Sequence, residues 1–216
     1  ERDGRGQEGD LTGRVRISVP TTYGHYCLPP LLARFSQQFP RVQVELNITN
    51  RNVDLIAEGF DLAIRLGQMP DSGFVARKLQ DAALLLVASP AYLHRMGMPQ
   101  TLDELRQHMC LPFIMPRTGR IAPWVFRVDE RDVDWQPDST IEISDDVLGV
   151  VSLAEHGIGV CQSYEFIVRE KIQRGQLVEI LPQLRGRSRP FSLIYAPHRR
   201  QSAATRAMID LLASEQ

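Results

Sequence analysis

Side chains that could carry out catalysis are present in this 216-residue chain, but their spacing matches no catalytic or metal-binding motif. The sequence has no GxGxxG, Walker A, GxSxG or HExxH pattern, and its three cysteines and five histidines form no cluster at the spacing of metal ligands. No neighbour in sequence would orient a histidine as a general base, so we interpret the histidines as solvated or locally hydrogen-bonded. The sequence therefore predicts no enzymatic activity, no cofactor and no metal site.

For two sets of residues, a chemical role is an alternative to a structural one. Cys27 could be a thiolate whose pKa is lowered at a helix N-terminus, although we favour a small buried side chain. Asp145 and Asp146 could be a carboxylate pair for acid-base chemistry or for a cation. They follow Ser144 at a predicted helix start, where carboxylates interact favourably with the helix dipole, and we favour that structural role.

Polar groups gather where predicted strands end and helices begin, namely at residues 20–23, 49–50 and 144–146. In open α/β sheets, ligands bind at the carboxyl ends of the strands, and helix N-termini favour carboxylates and phosphates. We therefore expect a small anionic ligand near these segments. Ordinary helix capping is the alternative at each single position.

The elements that would position these groups alternate between strand and helix in the first half of the chain. In order, the pattern predicts a strand at 14–19, a helix at 28–39, a strand at 43–48, a helix at 53–59 and a strand at 61–67. Val15, Ile17 and Val19 share one face of the first strand, and Asn50 or Asn52 would cap the second helix. Such a series with short connections predicts a parallel sheet and the α/β fold class.

The second half repeats the alternation and predicts a second lobe. Helices are expected after the N-caps Ser89, Thr101 and Ser144, with Thr101 and Glu104 forming a capping box, and also at 164–175 and around 208–212. Strands are expected at 82–89, 110–115, 140–144, 158–162, 177–181 and 191–196, with a hairpin around 124–135. Two α/β lobes account for this order.

Composition and charge exclude several classes of partner. The 25 Lys and Arg against 26 Asp and Glu give a net charge of -1, so broad attraction to nucleic acid or to an anionic membrane is not expected of these residues. No apolar stretch approaches the roughly 20 residues that a transmembrane helix requires. Three widely spaced cysteines without a CxxC pair indicate a reducing compartment, and we predict a cytoplasmic location.

Several segments resemble the effector-binding domain of LysR-type transcriptional regulators. They include EGFDLAIRLG at 58–67, ASPAYL at 88–93, and TLDELRQHMCLPF at 101–113, in the family's order and spacing. The resemblance runs from about Leu11 to the C-terminus. It implies two Rossmann-like lobes joined by two crossover strands, a fold like that of type 2 periplasmic binding proteins.

The resemblance also implies the division of the chain. Residues 14–87 with 188–216 would form lobe I, and 88–187 would form lobe II, with crossovers AALLLVAS and RPFSLIYA. Residues 1–13 would be the remnant of an interdomain linker, because full-length relatives carry an N-terminal winged helix-turn-helix that is absent from this chain. DNA would therefore be bound only through that absent domain.

The family's effector sites lie between the lobes, and the resemblance places a set of contacts on this sequence. They are Thr21, Thr22, Tyr23, Thr49, Asn50, Arg65, Gly67, Met115, Arg117, Ser144, Asp145, Asp146, Gln162, Ser163 and Tyr164. Gln162 replaces a proline that is frequent in a related subgroup, so its side chain could contact the effector or face water.

The expected function is to sense a small anionic or aromatic metabolite and to couple its binding to the geometry of a homodimer or higher oligomer. Cys110 and Cys161 lie in lobe II, where peroxide-sensing relatives use a cysteine pair, but neither has a polar, basic sequence context. A solute-binding protein of a transport system is the main alternative. An enzyme on the same fold is a second alternative, and it would need a set of nucleophile, base and orienting group that the sequence lacks.

Overall fold

The computed structural model describes residues 9–67, 73–197 and 200–214, which form two compact units. Unit 1 comprises Glu1–Asp81 and Pro190–Gln216, and unit 2 comprises Ala82–Arg189. Strands β4 (Val75–Ala88) and β11 (Ser188–Tyr195) each contain one of the unit boundaries, so the chain passes between the units through two extended segments. The linker predicted at residues 1–13 falls largely outside the described residues.

Unit 1 is built on a sheet whose order is β11-β3-β1-β2. Strand β1 (Gly13–Val19) pairs in parallel with β2 (Val42–Ile48) and with β3 (Leu62–Leu66), whereas β11 is antiparallel to β3. The parallel pairs follow from the crossovers between successive strands. The predicted parallel sheet and α/β class are therefore confirmed.

Helices pack against this sheet. They are α1 (Thr21–Tyr26), α2 (Leu28–Gln38) and the C-terminal α7 (Ala203–Ser214). Val15, Ile17 and Val19 are completely buried, as their alternation predicts, and Ser18 on the opposite face is buried as well. A strand whose successive residues are all buried must be covered on both sides, which gives unit 1 its layered core.

Unit 2 surrounds the second half of β4. Strands β9 (Cys161–Tyr164) and β10 (Val178–Ile180) both pair with β4 in antiparallel fashion. Two further pairs complete the unit's strands, the parallel β5 (Phe113–Ile114) with β8 (Ile143–Ser144) and the hairpin of β6 (Trp124–Val128) with β7 (Arg131–Trp135). The hairpin turns through Asp129 and Glu130, which both have positive φ, as a two-residue turn of this kind requires.

The helices of unit 2 are α3 (Pro90–Met96), α4 (Leu102–Leu105), α5 (Leu148–Glu155) and α6 (Glu165–Gln173). The predicted N-cap of α3 is confirmed, since the Ser89 hydroxyl accepts a hydrogen bond from Tyr92 N at 3.1 Å. Buried aromatic residues fill the core, and the rings of Trp124 and Trp135 stack with centroids 5.4 Å apart.

The helix predicted over residues 53–59 is wrong, because the structure has only turns there. The Asp54 carboxylate accepts from Ala57 N at 3.1 Å, and Gly59 at φ +75° ends the turn. The predicted cap Asn50 bonds to Thr21 instead. A segment this short cannot offset the cost of nucleating a helix once its ends are bonded locally.

The predicted helix start at Ser144 is also wrong. Asp145 has φ +70°, so the backbone cannot continue as a helix through it, and α5 begins at Leu148. Val147 is the N-cap residue, and the carboxylate of Asp146 before it accepts from Leu148 N at 3.0 Å. The strands expected at 110–115 and 140–144 shrink to the two-residue strands β5 and β8.

Only one of the two hydrogen bonds of the predicted capping box before α4 is formed. Thr101 Oγ1 accepts from Glu104 N at 3.1 Å, as expected. The Glu104 carboxylate, however, accepts from Gln100 N rather than from Thr101 N. The helix it introduces is a single turn.

Candidate functional site

In unit 1, predicted site residues meet at the carboxyl ends of the parallel strands. Thr21 N donates to Asn50 Oδ1 at 3.1 Å, and Asn50 Nδ2 donates to the Thr21 hydroxyl at 3.1 Å. Thr49 belongs to the same edge, because its N–H donates to Val19 O at 2.8 Å. The loops after β1 and β2 are thereby joined, as expected for this edge of a parallel sheet.

Arg65 brings a positive charge to this edge. Its guanidinium donates to Ile64 O at 2.8 Å and to the Ser18 hydroxyl at 3.1 Å. Burial, together with the like charge of Arg51, lowers the pKa of the Arg65 guanidinium from its usual range. Among the residues described, no carboxylate forms an ion pair with Arg65.

The other predicted residues of unit 1 are occupied by packing or by backbone bonds. Thr22 and Tyr23 are buried, and the Tyr23 ring packs against Phe191 with centroids 5.4 Å apart. Burial raises the pKa of the Tyr23 hydroxyl to about 12. Gly67, at φ +89°, donates its N–H to Pro190 O.

Unit 2 contains a pocket that we call the unit 2 pocket. Its polar lining consists of Gln162, Ser163, Tyr164 and Arg189, and its apolar lining consists of Leu84, Leu111, Phe113, Ala122, Pro123, Trp124, Val147 and Val150. Three of the four polar residues belong to the predicted segment 162–164, which lies in β9 directly before α6. An apolar lining with a few convergent polar groups is typical of small-molecule sites, but the volume of about 50 Å³ is well below that of a usual ligand pocket and holds only part of a ligand.

The polar groups of the unit 2 pocket are held by specific contacts. Arg189 Nη2 donates to Pro123 O at 3.0 Å, and the Arg189 guanidinium also hydrogen-bonds the Tyr164 hydroxyl. Burial raises the pKa of Tyr164 to about 12, so this phenol is neutral at physiological pH. The Gln162 side chain bonds to the backbone of Val125 through both its oxygen and its nitrogen.

The remaining predicted residues of unit 2 do not line this pocket. Met115 and Arg117 lie in a turn in which Gly119 N bonds to Met115 O, and Arg117 is exposed. Ser144, Asp145 and Asp146 are exposed ahead of α5. Of the residues predicted in unit 2, the pocket brings together those at 162–164, beside Arg189 and an apolar wall that the sequence did not indicate, and the effector contacts stay a prediction. The position of Arg189 in the returning crossover is the signal that could have found it.

Metal-ligating side chains and cysteine thiols are the remaining reactive groups in the described parts of the chain. No group of three His, Cys, Asp or Glu side chains there could hold a metal ion. Burial raises the pKa of the Cys27 thiol to about 11 and that of the Cys110 thiol to about 12, and it raises the pKa of Cys161 further. All three thiols are thus protonated at neutral pH. None of the described helices is long and apolar enough to cross a bilayer.

Comparison with known proteins gives consistent matches. Residues 8–216 match the family described as LysR substrate binding domain. The HTH-type transcriptional regulator YhjC of Escherichia coli is 33% identical over 99% of this chain and 72% of its own length. An HTH-type regulator of Haemophilus influenzae is 31% identical over 88% of this chain, which spans 65% of that relative.

A solved structure shows the same fold. The regulatory domain of CrgA, a LysR-type transcriptional regulator from Neisseria meningitidis, superposes with a TM-score of 0.84 at 26% identity. The match covers 95% of this chain and 99% of that domain. The predicted fold, like that of type 2 periplasmic binding proteins, is confirmed by this likeness.

Proposed function

The chain belongs to the LysR substrate binding domain family and is the effector-binding domain of a LysR-type transcriptional regulator, and from this premise we propose that the unit 2 pocket binds part of its effector. The observation that carries the proposal is the convergence of Arg189, Tyr164 and Ser163 on one apolar pocket. Hydrogen-bond donors beside hydrocarbon walls suit a small anionic or aromatic metabolite.

In this proposal the effector changes the relative populations of two arrangements of the oligomer. A ligand that binds one arrangement of an oligomer more tightly than another increases the population of the first, and by no more than its difference in affinity. In the full-length regulator, that shift changes the spacing of the DNA-binding domains on their operator. DNA is then bound by the N-terminal helix-turn-helix, and the residues described here supply the sensing.

We propose a homodimer or higher homo-oligomer as the functional form, in the cytoplasm where such a regulator meets DNA. The apolar faces of the helices in unit 1 do not support an interface. The apolar faces of α2 and α7 pack within unit 1, where Leu28, Phe35, Met208 and Leu212 are all buried. The proposal therefore rests on the family, and sedimentation that shows only monomer at micromolar concentrations would contradict it.

The two alternatives are less well supported. The relatives are named as transcriptional regulators and not as components of transport systems, which favours sensing over solute delivery. An enzymatic role would need convergent nucleophile and base groups. The unit 2 pocket offers a protonated phenol, a guanidinium, an amide and a hydroxyl, with no base beside the hydroxyl.

A metabolite screen by thermal unfolding tests the proposal. A ligand at 100 times its Kd stabilises the native state by about 2.7 kcal/mol, which for a chain of this size raises the Tm by about 5 to 10 °C. Val147→Phe, which fills the unit 2 pocket, should abolish the shift. Ser152→Phe, on the exposed face of α5, is the matched control and should retain it.

The proposed function fails if no compound of a broad metabolite collection raises the Tm or gives heat by calorimetry. The assignment of the unit 2 pocket as the effector site is contradicted if Val147→Phe binds the effector as tightly as the wild type does. Native mass spectrometry of the purified domain adds an independent test, because a retained effector would be seen directly.

A further inference from the structure

Among the residues that the structure describes, Arg189 is the one cationic side chain in the lining of the unit 2 pocket. It is the last residue of unit 2 and lies in β11, immediately before the chain enters unit 1. Its known contacts are neutral: one hydrogen bond to Pro123 O and one to the Tyr164 hydroxyl. A guanidinium has five N–H donors, so donors remain for a further partner.

The carboxylates near this strand are bound by a different arginine. Arg187, two residues earlier, donates to Asp134 at 2.6 Å and lies 3.7 Å from Asp132. Arg127 shares Asp132 at 3.0 Å. Within the described part of the chain, no carboxylate pairs with Arg189. The pocket therefore contains a positive charge whose counter-ion is not supplied by these residues.

The residues around the Arg189 guanidinium indicate the kind of ligand that would pair with it. Trp124, Phe113 and Leu111 form part of an apolar wall, and Ser163 contributes a hydroxyl that hydrogen-bonds to no other described residue. A charge that is partly removed from water is costly until an opposite charge meets it. With one cation in the lining, a single negative charge matches better than the double charge of a phosphate monoester.

We infer that Arg189 selects a carboxylate, and that the effector is a monocarboxylic acid with a compact apolar or aromatic body. The carboxylate bonds to the guanidinium and the Ser163 hydroxyl, and the body packs on the wall formed by Trp124 and its neighbours. Arginine is suited to this role because its planar donors match two carboxylate oxygens. This inference rests on the proposed function of the unit 2 pocket and adds the class of its ligand.

Titration calorimetry with matched pairs of compounds tests the inference. The probes are benzoate, phenylacetate and hexanoate, each compared with its primary amide, which keeps the shape and removes the charge. The wild type should bind at least one acid about 10-fold or more tightly than its amide, since hydrogen bonds to charged groups contribute more than neutral ones.

Variants of Arg189 and Arg187 distinguish an effect on ligand selection from an effect on folding. Arg189→Gln should weaken the acid by about 10- to 100-fold and leave the affinity of the amide nearly unchanged. Arg189→Lys should keep part of the acid preference. Arg187→Gln is the matched control, because Arg187 has the same charge and also bonds the β6–β7 hairpin but lies outside the pocket, and it should retain the full preference.

Circular dichroism and thermal melts establish that each variant is folded, and Arg189→Lys replaces Arg189→Gln if the latter is not. The inference is overturned if the acid and amide bind the wild type equally, if none of the acids binds, or if Arg189→Gln retains the acid preference. If only neutral compounds from the metabolite screen bind, the carboxylate inference fails and the proposed function stands. If nothing binds, both fail.

Discussion

The side-chain amide of Gln162 forms two hydrogen bonds with the backbone of Val125, accepting from Val125 N at 2.9 Å and donating to Val125 O at 2.8 Å. The Gln162 side chain thus satisfies the backbone N–H and C=O of Val125, as a neighbouring strand would. The contact fixes the hairpin whose Trp124 side chain lines the unit 2 pocket. The predicted effector contact is therefore also a support for the pocket wall.

We predict that Gln162→Leu destabilises unit 2. The substitution leaves the N–H and C=O of Val125 without their partners in a partly buried position, and unsatisfied groups of this kind cost about 1 to 3 kcal/mol. Urea unfolding followed by tryptophan fluorescence measures the free energy of unfolding. Gln173→Ala, at an exposed position of α6, is the control and should change it by less than about 0.5 kcal/mol. An equal effect of the two variants would contradict the supporting role of Gln162.

The fold was predictable wherever a local pattern decides the structure. The alternation of Val15, Ile17 and Val19 predicts their burial, because residues two apart in a strand share a face. The helix predicted after Asn52 is reduced to a turn, which Asp54 caps by accepting from Ala57 N and which Gly59 ends at φ +75°. The apolar periodicity does not show that the segment ends after this one turn.

The site was less predictable because its contacts are distant in sequence. Gln162 and Val125 are 37 residues apart, and Arg189 and Pro123 are 66 residues apart. Nothing near Gln162 in sequence indicates that its amide is already bonded. Likewise, the pairing of Arg187 with Asp134 joins residues 53 apart, and no carboxylate among the described residues pairs with Arg189.

A second prediction concerns His108 and pH. Tyr92 Oη accepts from Met109 N at 3.1 Å and forms a hydrogen bond of 2.7 Å with His108 Nδ1, in which the tautomer of the imidazole decides which atom donates. Burial lowers the pKa of folded His108 from its usual value, although Glu104 opposes the shift. The His108 imidazole therefore binds a proton more tightly in the unfolded chain than in the folded protein. The stabilisation is complete above the unfolded pKa of about 6.5 and is lost as the pH falls below it.

Urea unfolding at pH 7.5 and pH 5.5 measures this linkage. The wild type should lose more stability between the two values than His108→Gln does, because the variant has no imidazole to titrate. If both proteins show the same pH dependence, His108 is not responsible for it.

A third prediction concerns Glu179 on β10. Its Oε2 atom is buried without a hydrogen-bond partner, and Oε1 lies 3.4 Å from Arg185. Burial raises the pKa of this carboxyl, and Arg185 only partly offsets the effect. The unfolded chain therefore releases the proton more readily, and stability is lost as the pH rises above the unfolded pKa of about 4.3.

Glu179→Gln should accordingly be more stable than the wild type at pH 8 and similar to it near pH 4.5. Thermal melts at the two pH values provide the comparison. Glu170→Gln is the control, because the Glu170 side chain is largely exposed in its ion pair with Arg174 and should have little effect at either pH. A wild type that is more stable than Glu179→Gln at pH 8 would show that the carboxylate is well solvated or well paired.

The last prediction concerns the cysteines and separates sensing of a metabolite from sensing of oxidants. Cys110 and Cys161 are buried, Cys27 is half-buried, and burial raises the pKa of all three thiols. The thiolate is the species that reacts with peroxides and alkylating agents, so the native domain should react slowly at neutral pH. Intact-mass spectrometry after brief exposure to hydrogen peroxide and then iodoacetamide should show the unmodified mass. The urea-unfolded chain is the control and should take up three alkyl groups without peroxide. Rapid formation of a disulfide or sulfenic acid in the native domain would instead support a redox-sensing role.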